Sequence, residues 1–438
     1  MKITWLLLFV FTGACANRTS TVADSLAVGK VIDTVICRSD PSQSYALYIP
    51  AKAGRLPVVY FFDSHGAGAL PVNKYKSLAD AYGFILVGSN NSRNGNDYTS
   101  SDHIWLALAG DTRDRLMIDT GRVYVCGFSG GAKVASYLAI MHPEVKGLIV
   151  NGAGLPDETP VDNFDFGFTI LTGEGDLNMT DLVALDNRLD STRTRHRILF
   201  FDGKHEWAPD SAMATAFSAL QFDAMRQGVI PKDDASIGRY AAQSRVRLSA
   251  YRNAGQLIKA ERECQVSISL LDGLSGEVGW FKENAASISG NAVYKKQQSA
   301  VSASIAREQA TKEVYMDHFG QPDKAYWVTT IDSLQKTTGP MSQRLLAFLS
   351  LEFYMYSNHL LNNGASDEAR YFLDLYKLVD PTNSEAWYLS AVLYARQGQT
   401  SEAENELRKA VSCGFNDRVR MLQQPEFRNL SSLPLPGR

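Results

Sequence analysis

Between residues 30 and 228, short runs rich in Val, Ile, Tyr and Phe alternate with segments whose apolar residues recur at helical spacing, and this alternation constrains the fold more than any other feature. Strands separated by helices can pair in parallel, because each helix carries the chain back to the start of the next strand. The runs at residues 57–62, 84–88, 122–126, 146–151, 166–171 and 197–201 read as such a sheet. Two earlier runs, at 30–37 and 45–49, have no helix between them and read as an antiparallel edge. Helical patterns at 73–82, 102–116, 131–141, 179–189 and 211–227 complete an α/β arrangement, a sheet sandwiched by helices.

The 438 residues leave room for more than this unit, since domains run to roughly 100 to 200 residues. Beyond Pro231 no proline occurs before Pro322, and the interval, rich in Ala, Gln, Ser, Lys and Arg, reads as helices. The composition shift places a boundary at 228/229, with a helical region over 229–340. Over 341–438 the chain matches itself at an offset of about 34 residues, Gly364, Ala369 and Leu373 falling on Gly398, Ala403 and Leu407. With Trp387, Ala391, Tyr394 and Ala410 these occupy the small and large positions of a tetratricopeptide repeat, which predicts an all-α tetratricopeptide-like domain and a possible protein partner bound through it. Tyr251, Gly255 and Ala260 repeat the spacing of Tyr394, Gly398 and Ala403, so either a decayed copy or an unrelated hairpin lies in the middle region.

With 44 basic against 47 acidic residues and 45% hydrophobic residues, the chain is neither disordered nor a polybasic nucleic-acid binder. Five cysteines without a C-x-x-C pair exclude a zinc knuckle or a thioredoxin-like site. At the N-terminus Lys2 precedes an apolar run over 3–11, too short for the roughly 20 residues of a membrane-spanning helix but suited to a signal peptide. Thr12-Gly13-Ala14-Cys15 follows and resembles a bacterial lipobox, with Thr where Leu is usual. The expectation is a lipoprotein signal peptide over 1–14, lipidation at Cys15, a tether over 15–29 and a lipid-anchored place in the bacterial cell envelope. That address makes Cys37, Cys126, Cys264 and Cys413 eligible for disulfides, with no pairing assigned.

Between the run at 122–126 and the helix at 131–141 stands Gly127-Phe128-Ser129-Gly130-Gly131, a G-x-S-x-G sequence at a strand-to-helix turn. A serine there projects its hydroxyl above the sheet, and the flanking glycines leave no Cβ to strike the adjoining strand and helix. A serine hydroxyl needs a base to take its proton and a carboxylate to orient that base. His205 follows the last predicted strand and Asp176 the one before it, with Glu174 as an alternative acid. His142, His196, His318 and His359 are placed less well. Oxyanion donors are expected from the backbone N–H groups of Gly130, next to the nucleophile, and Ala67, in the loop Asp63-Ser64-His65-Gly66-Ala67-Gly68. His65, Trp207 and Trp105 are candidate substrate contacts, with Tyr98 and Asn91, because their loops fall at the carboxyl ends of strands.

Leu78-Ala79-Asp80-Ala81-Tyr82-Gly83-Phe84, the stretch from Arg122 through Gly131, and Met141-His142-Pro143-Glu144 give residues 30–228 a resemblance to the α/β-hydrolase family, to esterases similar to polyhydroxybutyrate depolymerases and feruloyl esterases. The resemblance implies a serine esterase working through an acyl-enzyme, with nucleophile, acid and base at Ser129, Asp176 and His205 and with no metal or cofactor. Only a short stretch, broken by Pro156 and Pro160, separates the strand ending at Asn151 from the next, where relatives often insert a lid. An open cleft suits a bulky or polymeric ester. All the catalytic candidates lie upstream of the repeats, which predicts an esterase unit that works without them. The rival expectation is a non-catalytic interaction protein whose hydrolase-like part is silent.

Overall fold

One sheet gathers β1 (Ile32–Ile36), β2 (Ser44–Tyr48), β3 (Leu56–Phe62), β4 (Ile85–Ser89), β5 (Ile118–Phe128), β6 (Val145–Asn151), β7 (Gly167–Gly173) and β8 (His196–Phe201) in the order β1-β2-β4-β3-β5-β6-β7-β8. These come from a computed structural model that describes residues 26–434; Cys15 and the signal segment lie outside the described residues. β1 and β2 pair antiparallel, as do β2 and β4, and every other pairing is parallel. β3, Leu-Pro-Val-Val-Tyr-Phe-Phe, is buried at all seven positions, as a strand covered on both faces must be.

Strand order decides where the helices go. The step from β3 to β4 runs one way across the sheet, whereas the steps β4 to β5, β5 to β6 and β7 to β8 run the other way. Since crossovers are right-handed, the first helix must lie on the opposite face from the rest. Accordingly α1 (Ala69–Tyr82) packs Val72, Tyr75 and Ala79 against Val59, Phe61 and Tyr124. α2 (Tyr98–Arg115), α3 (Gly130–Met141) and α4 (Met179–Leu189) pack against Val58, Tyr60, Val125 and Leu148 on the other face. After β8 the chain returns to the face of α1 as α5 (Asp210–Arg226), which lays Met213, Phe217 and Leu220 on Phe84 and Leu199.

From α6 (Asp234–Asn253) onward the described elements are helical: α7 (Leu257–Leu271), α8 (Val278–Ser289), α9 (Ala292–Phe319), α10 (Lys324–Lys336), α11 (Pro340–Asn362), α12 (Ser366–Val379), α13 (Ser384–Arg396), α14 (Thr400–Ser412) and α15 (Arg418–Gln423), closed by a 3₁₀ turn. They are not a separate appendage. Phe222 and Met225 of α5 share a core with Ile237, Tyr240, Leu248 and Phe281. α7 covers the open edge of the sheet, where Ser269 Oγ donates to the His196 carbonyl at 3.1 Å and the Arg262 guanidinium lies 3.6 Å from the centre of the Phe200 ring. An uncovered edge strand invites pairing with another chain.

The repeat positions do what their sizes imply. Ala369, Ala391, Leu407 and Ala410 are fully buried in one cluster shared by α11 to α14. The same turn closes α6, α11 and α13: the residue after Gly255, Gly364 or Gly398 donates its N–H to the carbonyl of Tyr251, Leu360 or Tyr394 at 2.9, 3.0 and 2.9 Å. Such turns end many helices, so the match extends to hairpin geometry and not to kinship. Cys37, Cys126, Cys264 and Cys413 are free thiols, and the first three are buried. Burial pushes the thiols of Cys37 and Cys264 up to about 12, which makes them small core residues. Among the described residues no helix is long and apolar enough to cross a membrane.

Candidate active site

In an open α/β sheet the strand order reverses at one point, and the loops leaving the strands on either side of it diverge to leave a crevice. Here the chain leaves β3 toward β4 and leaves β5 toward β6, so the crevice opens above β3 and β5. The loop after β5 carries Ser129. It is the N-cap of α3 with φ 55° and ψ −125°, a positive φ that a serine adopts only at a cost of roughly 1–3 kcal/mol and that the surrounding structure must enforce. The glycines show how: a Cβ at Gly127 would strike the Gly131 carbonyl and Ala132 on α3, and one at Gly131 would strike the Phe62 carbonyl on β3. The Ser129 N–H donates to the Asn151 carbonyl at 2.9 Å, tying the elbow to β6.

The next two loops complete a chain of polar atoms. His205 Nε2 lies 2.9 Å from Ser129 Oγ, and His205 Nδ1 lies 3.0 Å from Asp176 Oδ1. Asp176 is fully buried, and its Oδ1 also accepts from the Asn178 N–H at 2.9 Å. The His205 side chain keeps 23% of its surface exposed, whereas that of Asp176 keeps none. The Phe128 ring lies against that of His205, tilted, with ring centres 4.8 Å apart. Glu174, the alternative acid, is turned away and pairs with Arg262 at 2.6 Å.

The loop after β3 lies beside the elbow. Gly66 and Gly68 press it against the end of β4, where a Cβ at Gly66 would come 2.8 Å from the Asn90 carbonyl. Among the described residues neither the Ala67 N–H nor the Gly130 N–H donates to a backbone acceptor outside the helices and strands. Asp63, buried at the root of this loop, accepts from Trp207 Nε1 at 2.8 Å and from the His65 N–H at 2.9 Å. Burial opposes its ionisation, but the hydrogen bonds from His65 and Trp207 outweigh that and hold its carboxyl below the usual carboxylate range. The bond to Asp63 in turn raises His65 against the opposing effect of burial.

The candidate substrate contacts divide. His65, with its side chain 76% exposed, stands at the rim. Trp207 is buried between Phe128 and Asp63 and holds the base loop to the β3 loop rather than facing the crevice. Trp105 needs correction. It is wholly buried beneath α2, against Tyr60 and His142, because Ile104, Trp105, Leu108 and Thr112 form the inward stripe of that helix. Asn91 accepts from the Ser44 N–H at the start of β2, and Tyr98 stacks on Tyr137. Residues 152–166 contain no helix.

Three further residues belong to the site and were passed over in the sequence. Asn94 sits so close to the elbow that a Cβ at Gly130 would strike its Oδ1. Asn151, fully buried at the end of β6, accepts from the Ala208 N–H at 2.7 Å and donates to the Glu206 carbonyl at 3.2 Å, bracing the loop that carries His205. Gly152, φ +70°, faces the Asp176 and His205 side chains. Asn151-Gly152 is a turn dipeptide at a strand end, a signal that could have been read.

No family model matches the chain, and no curated protein matches it. Structural neighbours are esterases and serine hydrolases at low identity. A hyperthermophilic esterase from the archaeon Pyrobaculum calidifontis is 16% identical with a TM-score of 0.35, the match covering 45% of this chain and 85% of that one. A fluorophosphonate-binding serine hydrolase of Staphylococcus aureus is 12% identical with a TM-score of 0.35, covering 44% and 99%. A ferulic acid esterase is 16% identical with a TM-score of 0.34, covering 44% and 97%.

Proposed function

We propose that this protein is a serine hydrolase that cleaves carboxylic esters through an acyl-enzyme. The observation that carries the reading is the continuous file Ser129 Oγ, His205, Asp176, with steps of 2.9 and 3.0 Å, at the strand-order switch point. Ser129 attacks the acyl carbonyl while His205 Nε2 takes its proton, and Asp176 holds the ring in the tautomer that leaves Nε2 free to accept it. The N–H groups of Gly130 and Ala67 receive the oxyanion. The tetrahedral adduct collapses as His205 returns the proton to the leaving alcohol, and water deacylates Ser129 by the same route.

The stretch 152–166 is too short and too irregular to fold over the crevice, which favours a bulky or polymeric ester over a buried fatty chain. The 34-residue repeat makes the last helices tetratricopeptide-like and fits them to a protein partner, and the Gly13-Ala14-Cys15 segment fits a lipid anchor in a bacterial envelope. A fluorophosphonate probe tests the core of the reading: it should label the parent and leave Ser129→Ala unlabelled, with ester turnover lost in parallel. Labelling that persists in Ser129→Ala, or a parent that neither labels nor turns over any aryl, acetyl or feruloyl ester, rejects it. Cys15→Ser should move the protein from the membrane pellet to the soluble fraction, and an unchanged distribution rejects the anchor.

A further inference from the structure

The turn that carries Asp176 is held from outside the sheet. Its backbone carbonyls flank the acid: Glu174 two residues before and Leu177 one after. Arg344 of α11, 170 residues further along, donates Nη1 to the Glu174 carbonyl at 2.6 Å. Lys312 of α9 reaches the Leu177 carbonyl at 3.3 Å. Both cations converge on Glu308 of α9, which takes Arg344 Nε at 2.7 Å and Lys312 Nζ at 3.1 Å. Arg262 of α7 grips the same turn by its side chain, pairing with the Glu174 carboxylate at 2.6 Å. Between these bonds a Cβ at Gly175 would strike Gln343.

Arg344 and Glu308 are 3% and 0% exposed, and buried charges are retained only where they are paired and hydrogen-bonded. The space between the turn and α7, α9 and α11 is a cavity of about 830 Å³ that Glu174, Met179, Arg262 and Arg344 help to line, so on that side these polar bonds tie the turn to the helices.

We infer that Arg344, with Lys312 and Glu308 behind it, is a positioning residue for Asp176, and that the helical region completes the active site rather than standing beside it. This rests on the serine-hydrolase reading above and replaces the expectation of an esterase unit that works alone. An acid displaced by ~1 Å no longer orients the base, an error of the size that costs up to about 100-fold in rate. Arg344→Lys keeps a cation for Glu308 but cannot hold Glu308 and span to the Glu174 carbonyl together. We expect kcat to fall about tenfold with KM within about twofold.

The experiment is a double-mutant cycle in the full chain, with kcat and KM on an aryl ester for the parent, Arg344→Lys, Asp176→Asn and the double variant, and Ser129→Ala alongside. If Arg344 acts through Asp176, its substitution lowers kcat in the parent and changes nothing in the Asp176→Asn background. An equal loss in both backgrounds, or a parental kcat in Arg344→Lys, overturns the inference. If Arg344→Lys does not fold, Arg262→Gln, at a partly exposed position on the same turn, decides by the same cycle: a loss confined to the parent supports positioning, and no loss or an equal loss rejects it. Turnover surviving in Ser129→Ala would instead remove the hydrolase reading itself, so the two failures are told apart.

Discussion

Gly152→Ala tests how closely the acid and base are packed, because two separable costs meet at one atom. Gly152 has φ +70°, where an L side chain costs roughly 1–2 kcal/mol. Its Cβ would also lie 3.0 Å from Asp176 Oδ2 and His205 Cε1 and 3.1 Å from His205 Nδ1. Ordinary contact lies at about 3.5–4.0 Å, so something must retreat by about 0.5 Å. Asp176 is fully buried and pinned by the Asn178 N–H, whereas His205 is partly exposed, so the ring moves. That motion lengthens the 2.9 Å contact to Ser129, and since a 1 Å misplacement costs about 100-fold, a loss of roughly 10-fold in kcat is expected. Gly228→Ala is the control: φ is +72° and nothing lies within 4 Å of its Cβ, so it carries the backbone cost alone. Ester turnover and urea unfolding of both variants separate the terms. Gly228→Ala should lose about 1–2 kcal/mol of stability and keep its activity, whereas Gly152→Ala should lose at least as much stability and should alone lose activity. Parental kcat in Gly152→Ala, or an equal loss in Gly228→Ala, would refute the packing argument.

Three other outcomes are expected. Asp223→Ala strands Arg197, which is 4% exposed and gives Asp223 two bonds of 2.9 and 3.0 Å, so unfolding free energy should drop by about 3–5 kcal/mol; a loss below about 1 kcal/mol would mean that Arg197 finds another partner. His65 is raised above 6.5 and Asp63 lowered below 3.8, so the stability from their pairing is whole between those values, is lost upward as pH passes the folded value of His65, and is lost downward as pH passes that of Asp63. The stability gap between the parent and His65→Gln, followed by denaturant titration, should be largest in that window, and a gap independent of pH would contradict the pairing. With no helix in 152–166, rates on short esters should show no jump when an oil interface forms, and a steep rise would reveal a cover supplied by the C-terminal helices.

The sheet and the triad candidates were legible because their signals are local. A run such as Leu-Pro-Val-Val-Tyr-Phe-Phe, buried at every position, announces a strand covered on both faces, and Gly127 to Gly131 announces a turn too crowded for side chains. Asp176 and His205 follow strands that the same pattern exposes. Trp105 follows a strand in the sequence, but Ile104, Leu108 and Thr112 share its helical stripe and mark it as a core residue.

The grip on the acid turn was not legible, and the reason is physical. A lone Arg or Glu in a helical pattern is by default solvated, because burying either charge costs several kcal/mol unless a partner is supplied. Glu308 and Arg344 supply each other across 36 residues, and the carbonyl they serve lies 170 residues from Arg344. No periodicity or spacing connects such positions; only the packing of α9 and α11 against the turn after β7 does. The same packing explains why the boundary at 228/229, a real change of composition, does not bound the chemistry. α5 shares its outer face with α6 and α8, α7 covers the edge strand, and α9 and α11 hold the turn of Asp176. A chain cut at that boundary would lose these bonds together and expose the apolar side of α5, so an inactive fragment would say nothing about Asp176 in particular. Substitution of Arg344 within the intact chain isolates the positioning contact from the fold that surrounds it.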